Sequence, residues 1–130
     1  MPPRSPPAAA PSPGVGFPKA ARLLRRRDFV RVQGRGRKLA DGVLLALVLP
    51  RAGGGPARLG ITVSSKVGNA VTRVRIRRHV REAFRHRRHR WPAGLDVVVI
   101  ARSSAATASH DAFDRALEQL TQRLRSRSGA

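Results

Sequence analysis

The chain has no cysteine. That excludes a disulfide framework, a thiolate nucleophile and any cysteine-ligated zinc centre. Aromatics are scarce: four Phe, one Trp and no Tyr in 130 residues. So few rings cannot stack many single-stranded bases, which argues against a ring-bearing RNA-recognition sheet. Long apolar runs are missing. The longest, 43–49, falls far short of the ~20 residues a membrane span needs. Prolines interrupt the N-terminus, so no apolar signal-peptide core is expected there. A cytoplasmic protein without membrane partners is the reading. Acids are the scarcest feature: 7 Asp and Glu stand against 27 Lys and Arg, a formal net charge of +20. That balance speaks against a small-molecule substrate and for a polyanion partner, most often nucleic acid. Lysine is nearly absent as well, with only Lys19, Lys38 and Lys66.

What is present is enough for one folded domain. Hydrophobic residues make up 41% of the chain, more than a disordered basic tail carries. Residues 1–18 hold seven of the ten prolines and read as a disordered tail. A single domain is expected over 19–125, followed by a frayed end at 126–130.

Within the domain, 25–33 reads as a short helix stopped by Gly34 and Gly36. A short strand is expected at 37–39. A firmer one at 43–49 is apolar on both faces, as suits a central strand. The next, 58–63, is expected to be its antiparallel partner. A long helix follows over 71–88. Val97, Val98, Val99 and Ile100 mark a buried strand over 96–101. Ser109 caps a last helix with apolar residues at helical spacing. The fold class is α+β around one small sheet.

The charge is focused on two segments. One runs from Lys19 to Lys38. The other contains Arg73, Arg75, Arg77, Arg78, Arg81, Arg85, Arg87, Arg88 and Arg90, opposed only by Glu82. On a helix, Ile76, Val80, Ala83 and Phe84 form one apolar stripe, and the guanidinium groups occupy the other side. Unbalanced like charges weaken a helix by ~0.2–0.5 kcal/mol per i,i+4 pair. Such a face suits a phosphate backbone that neutralises it and releases counterions.

Catalytic chemistry is hard to assemble from the rest. His86 and His89 lack further ligands and sit among arginines, so no protein-bound metal is expected. The carboxylates are scattered, so no two-metal nuclease cluster is evident. A histidine nuclease built on His79, His86 and Lys66 remains a rival reading, as does a structural, ribosomal-type RNA-binding protein.

Lys66, Gly68, Asn69, Ala70, Val71, Arg73, Arg75, Ile76, Arg77 and Arg78 follow a known order and spacing. The stretch resembles K-x-G-N-A-V-x-R-N-R-I-K-R, the signature of the bacterial ribonuclease P protein component. Asp28 and Phe29 resemble the start of that family's first-helix motif, with Gly36 at its end. The strands around Leu59–Ser64 and Asp96–Arg102 fit its flanks.

The resemblance implies a small α-β sandwich of order αβββαβα, with one four-stranded sheet and a left-handed β–α–β crossover. It implies the protein subunit of a ribonucleoprotein that removes the 5′ leader of precursor tRNA. The RNA subunit would be the catalyst, holding Mg²⁺ itself, and no catalytic side chain is expected in the protein. Carried over by position, Lys66, Asn69, Arg73, Arg75, Arg77, Arg78 and Arg81 would face that RNA, with Arg85 continuing the ridge. Phe29, Val32, Gln33 and Leu47 would line a cleft for the leader. Two departures stand out: Val74 replaces the Asn between two arginines, and Gln33 replaces a second Phe.

Overall fold

The computed structural model describes residues 21–23, 25–52 and 54–129, with side chains through 126. The proline-rich segment 1–18 and the side chains of 127–130 lie outside the described residues. The elements are α1 (Arg26–Arg35), β1 (Arg37–Asp41), β2 (Leu44–Pro50), β3 (Arg58–Thr62), α2 (Ala70–Arg85), β4 (Leu95–Ala101) and α3 (His110–Gly129). Short 3-10 turns at Arg88–Arg90 and Ser103–Thr107 flank β4. Three helices and one four-stranded sheet in the order αβββαβα make a mixed α+β fold.

The sheet order is β1-β2-β4-β3. β4 lies antiparallel to β2 and parallel to β3. The expected antiparallel pairing of β3 with β2 is therefore wrong. Val97, Val98 and Val99 are all fully buried and need cover on both faces, so β4 takes the central place. β3 carries Arg58 and Thr62 and tolerates the edge.

Side chains alternate between two layers. One face of the sheet, with Leu39, Ala46, Leu59, Val97 and Val99, packs on α2 and α3. The apolar stripe of α2 lands there: Ile76, Val80, Ala83 and Phe84 are buried. Each large member of such a stripe stabilises by about 1.5–3 kcal/mol. Trp91 packs edge-on to Phe84 at 4.7 Å, and its indole N–H donates to Thr121 Oγ1 at 2.8 Å. The opposite face holds Leu47 and Val98 under α1, whose Val32 is fully buried.

Local signals explain the ends. Gly36, not Gly34, stops α1. Gly34 lies inside the helix. A Cβ on Gly36 would come within 2.5 Å of the Val32 carbonyl oxygen. Asn69 caps α2, its side chain accepting from the Thr72 N–H at 2.9 Å. α2 ends at Arg85, short of 88, and Arg87 Nη1 donates to the Ala83 carbonyl at 2.9 Å. Ser109 Oγ accepts from the Ala112 N–H at the start of α3. Phe29 covers Gly60, where a Cβ would meet its ring at 2.5 Å.

One ion cluster ties α1 to the sheet, and a second ties the end of α2 to α3. Asp96 is fully buried. It accepts from Arg31 at 2.6 Å, from Arg51 at 2.9 Å and twice from Arg58 at 2.8 Å. Burial opposes its ionisation, but the bonds from Arg58 and Arg31 and the Arg51 charge hold its pKa below the usual range. Glu118 on α3 accepts from Arg90, Gln122 and Arg87, which bring its pKa down to about 2. Arg87 also donates to Asp114 at 2.8 Å.

Three outcomes follow. Asp96→Asn leaves partly buried guanidinium groups without their counter-charge and destabilises by about 3 kcal/mol in urea unfolding. Gly60→Ala costs about 1–3 kcal/mol, because Phe29 must move. Both carboxylates ionise more readily folded than unfolded. Their stabilisation is complete above the ordinary carboxylate pKa and fades as pH falls through the folded value, near 2 for Glu118. An acid titration by circular dichroism should show loss of stability on that side, with a shallower loss in Asp96→Asn.

Candidate nucleic-acid interface

The sequence places nine arginines between 73 and 90. The fold sorts them by partner. Arg87 and Arg90 are bound to acids on α3 and hold the end of α2 in place. Arg75 donates to the carbonyls of Ala106 and Ala108 at 2.6 and 3.3 Å, so it anchors the segment before α3. Arg85 pairs with Glu82 at 2.6 Å. Among the described residues, Arg77, Arg78 and Arg81 have no hydrogen-bond or ion-pair partner, and the Lys66 ammonium has none. Arg73 makes one long bond, 3.4 Å, to the Asn69 carbonyl.

The free cations crowd one another. Arg81 is held below its ordinary pKa by burial, then by the nearby Arg22 and Arg77 charges. A hollow of about 300 Å³ opens beside it, lined by Arg22, Val74, Arg78, Arg81, Glu82 and Arg85. A phosphate there relieves the repulsion and gains forked hydrogen bonds. Val71 and Val74 lie on the same outer surface, 77% and 52% exposed. The departure at Val74 therefore falls on the solvent side and leaves the core untouched.

Of the predicted RNA-facing residues, Arg77, Arg78 and Arg81 lie unengaged on α2 and Lys66 in the turn before it, while Arg75, Arg85 and Asn69 also have partners within the fold. The cleft residues divide. Val32 and Leu47 are core residues at 0% and 4% exposure and present no surface. Phe29 is half-buried over Gly60, and Gln33 is exposed. A separate hollow of about 450 Å³ is lined by Arg35, Arg37, Leu39, Val48, Leu49, Pro50, Leu95 and Leu124, none of them predicted. Periodicity gave no signal for it, since it forms where β1, β2 and α3 converge.

Among the described residues, no three or more His, Asp or Glu side chains are grouped to hold a metal ion. No described helix is long and apolar enough to cross a membrane.

Comparison with known proteins gives one consistent result. Residues 17–125 match the family model described as Ribonuclease P. The chain is 38% identical over 108 residues to a ribonuclease P protein component of Desulfatibacillum aliphaticivorans, covering 83% of this chain and 91% of that protein. The RNase P protein of Staphylococcus aureus superposes with a TM-score of 0.74 at 31% identity, covering 81% and 95%. That of Thermotoga maritima gives 0.70 at 32%, covering 78% and 96%.

Mutation should separate the two classes of arginine. Arg77→Ala weakens RNA binding by ~1–3 kcal/mol, as for a lost charge-assisted contact, with little change in melting temperature. Arg87→Ala lowers the melting temperature and leaves affinity nearly unchanged. Filter binding and thermal melts on the same samples read both.

Proposed function

The chain belongs to the ribonuclease P protein family, and we propose that it binds the catalytic RNA and the 5′ leader of precursor tRNA. In this reading it promotes hydrolysis of the phosphodiester bond that frees the mature tRNA 5′ end. The observation that carries the reading is the set of unengaged cations Arg77, Arg78 and Arg81 on α2, with Arg73 on the same helix and Lys66 in the turn before it. That helix is anchored on its other side by a packed apolar stripe, and just past its C-terminal end by the Arg87 and Arg90 pairs to α3.

The chemistry is assigned to the RNA. Mg²⁺ is held mainly by RNA phosphates, and the protein raises its local binding by ordering the backbone that supplies them. A fixed helix face is suited to this, because its guanidinium groups lose little freedom on contact. The leader is assigned to the α1 side of the sheet, where Phe29 and Gln33 offer surface above the buried floor of Val32 and Leu47. A protein-only histidine nuclease has less support. His86 is bound to Glu82 at 2.9 Å, and His79 faces His110 rather than Lys66.

Reconstitution tests the reading. The protein should raise precursor-tRNA cleavage by its cognate RNA at low Mg²⁺, and do nothing without that RNA. No enhancement, or cleavage by protein alone, overturns it. Val74→Asn should change stability by no more than about 0.5 kcal/mol, as for an exposed site. Any change it makes in cleavage then reports on the RNA contact.

A further inference from the structure

Two histidines without a role in that reading meet where α2 passes the start of α3. His79 Nδ1 and His110 Nδ1 lie 2.8 Å apart, with ring centroids at 4.9 Å. The contact needs one Nδ1 protonated and the other bare. A doubly protonated pair would aim two N–H groups at each other. His79 cannot simply swing away, since its ring stacks on the buried Phe113 at 5.1 Å and 13°. His110 is exposed and is the first residue of α3.

The surrounding charges are mostly positive or already engaged. From α2, Arg75 and Arg78 act on His79, and Glu82 is taken by Arg85 and His86. The 3-10 turn before α3, Ser103–Thr107, has no titratable side chain. From α3, Asp114 is bound by Arg87, and Asp111 makes no ion pair among the described residues. Burial, then His110, Arg75 and Arg78, push the His79 pKa below the ordinary imidazole value. The neighbourhood thus resists a second proton until an anion arrives.

We propose that His79 and His110 form a phosphate site, on the α3 flank of the RNA face, that fills together with uptake of a second proton. A proton from solvent is added at the bare Nδ1 and charges that ring; the exposed His110 then turns outward, and both Nδ1–H groups donate to one phosphodiester oxygen. The exposed Arg78 supplies a third charge, and the positive end of α3 favours the anion. The site rests on the reading of α2 as an RNA-binding helix. Its consequence is linkage: RNA binding takes up a proton, and affinity rises as pH falls through the imidazole range.

The test uses the full chain and its cognate catalytic RNA at constant ionic strength, from about pH 8 to about pH 5.5, the window of imidazole titration. Wild-type affinity should rise several-fold toward the acid end, with a limiting slope of about tenfold per pH unit for one linked proton. His110→Gln, at an exposed position, should flatten the profile without lowering the melting temperature. His86→Gln/His89→Gln should leave the slope intact. Nitrogen NMR of the labelled imidazoles should show His110 becoming charged in the complex, which a merely structural pair would not do. The same slope in His110→Gln, a slope lost in His86→Gln/His89→Gln, or unchanged imidazole signals overturns the site. Absence of RNA binding at every pH overturns the reading beneath it, and the site with it.

Discussion

A buried carboxylate surrounded by guanidinium groups is the interaction on which this fold turns. Asp96 projects from the middle strand into the interface beneath α1, where it is fully enclosed. Arg31 reaches it from α1, Arg51 from the β2–β3 connection and Arg58 from β3. Removing such an acid from water is costly, and only several well-formed hydrogen bonds offset the loss. Here they also fix geometry, because each donor comes from a different part of the chain. Without Asp96 these arginines would repel one another across the layer that holds α1 to the sheet.

The same logic governs the whole charge distribution. Among the described residues, every acid except Asp111 pairs with an arginine. Most of those pairs lie under α1 and at the far end of α2, where they lock one element to another; Asp41–Arg123 ties β1 to α3, and Glu82–Arg85 stays within α2. The first turns of α2 receive no acid at all. Arginine therefore plays two parts that look alike in composition: a cross-link where a carboxylate is present, and an open surface cation where none is.

Much of this was legible in the chain. The apolar stripe of α2, the order of the elements and the signature around Lys66–Arg78 depend on local spacing, which a sequence displays directly. The misplaced features depend on distant partners. The place of β4 between β2 and β3 is decided by its need for cover on both faces, whereas 58–63 only follows 43–49 in the chain. Arg75, Arg87 and Arg90 resemble their neighbours in sequence, and what separates them is a carbonyl or carboxylate some thirty residues away. Only the resemblance places Val32 at the cleft surface, and α1 lies close enough to Leu47 and Val98 to seal it. Asn69 was legible as part of the signature but not as a helix cap, because one side chain does both.

The position of β4 also bears on how the protein is made. The strand that joins the two halves of the sheet is the last of the four to be synthesised. While the ribosome is still producing α2, β3 has no strand of the sheet to pair with, only the single bridge from Leu59 to Arg22. Arg31, Arg51 and Arg58 are then a cluster of like charges awaiting their acid. The nascent domain cannot close its sheet gradually from the N-terminus. It must wait for Leu95–Ala101 to leave the exit tunnel and then complete strand pairing and charge neutralisation in one late, long-range event.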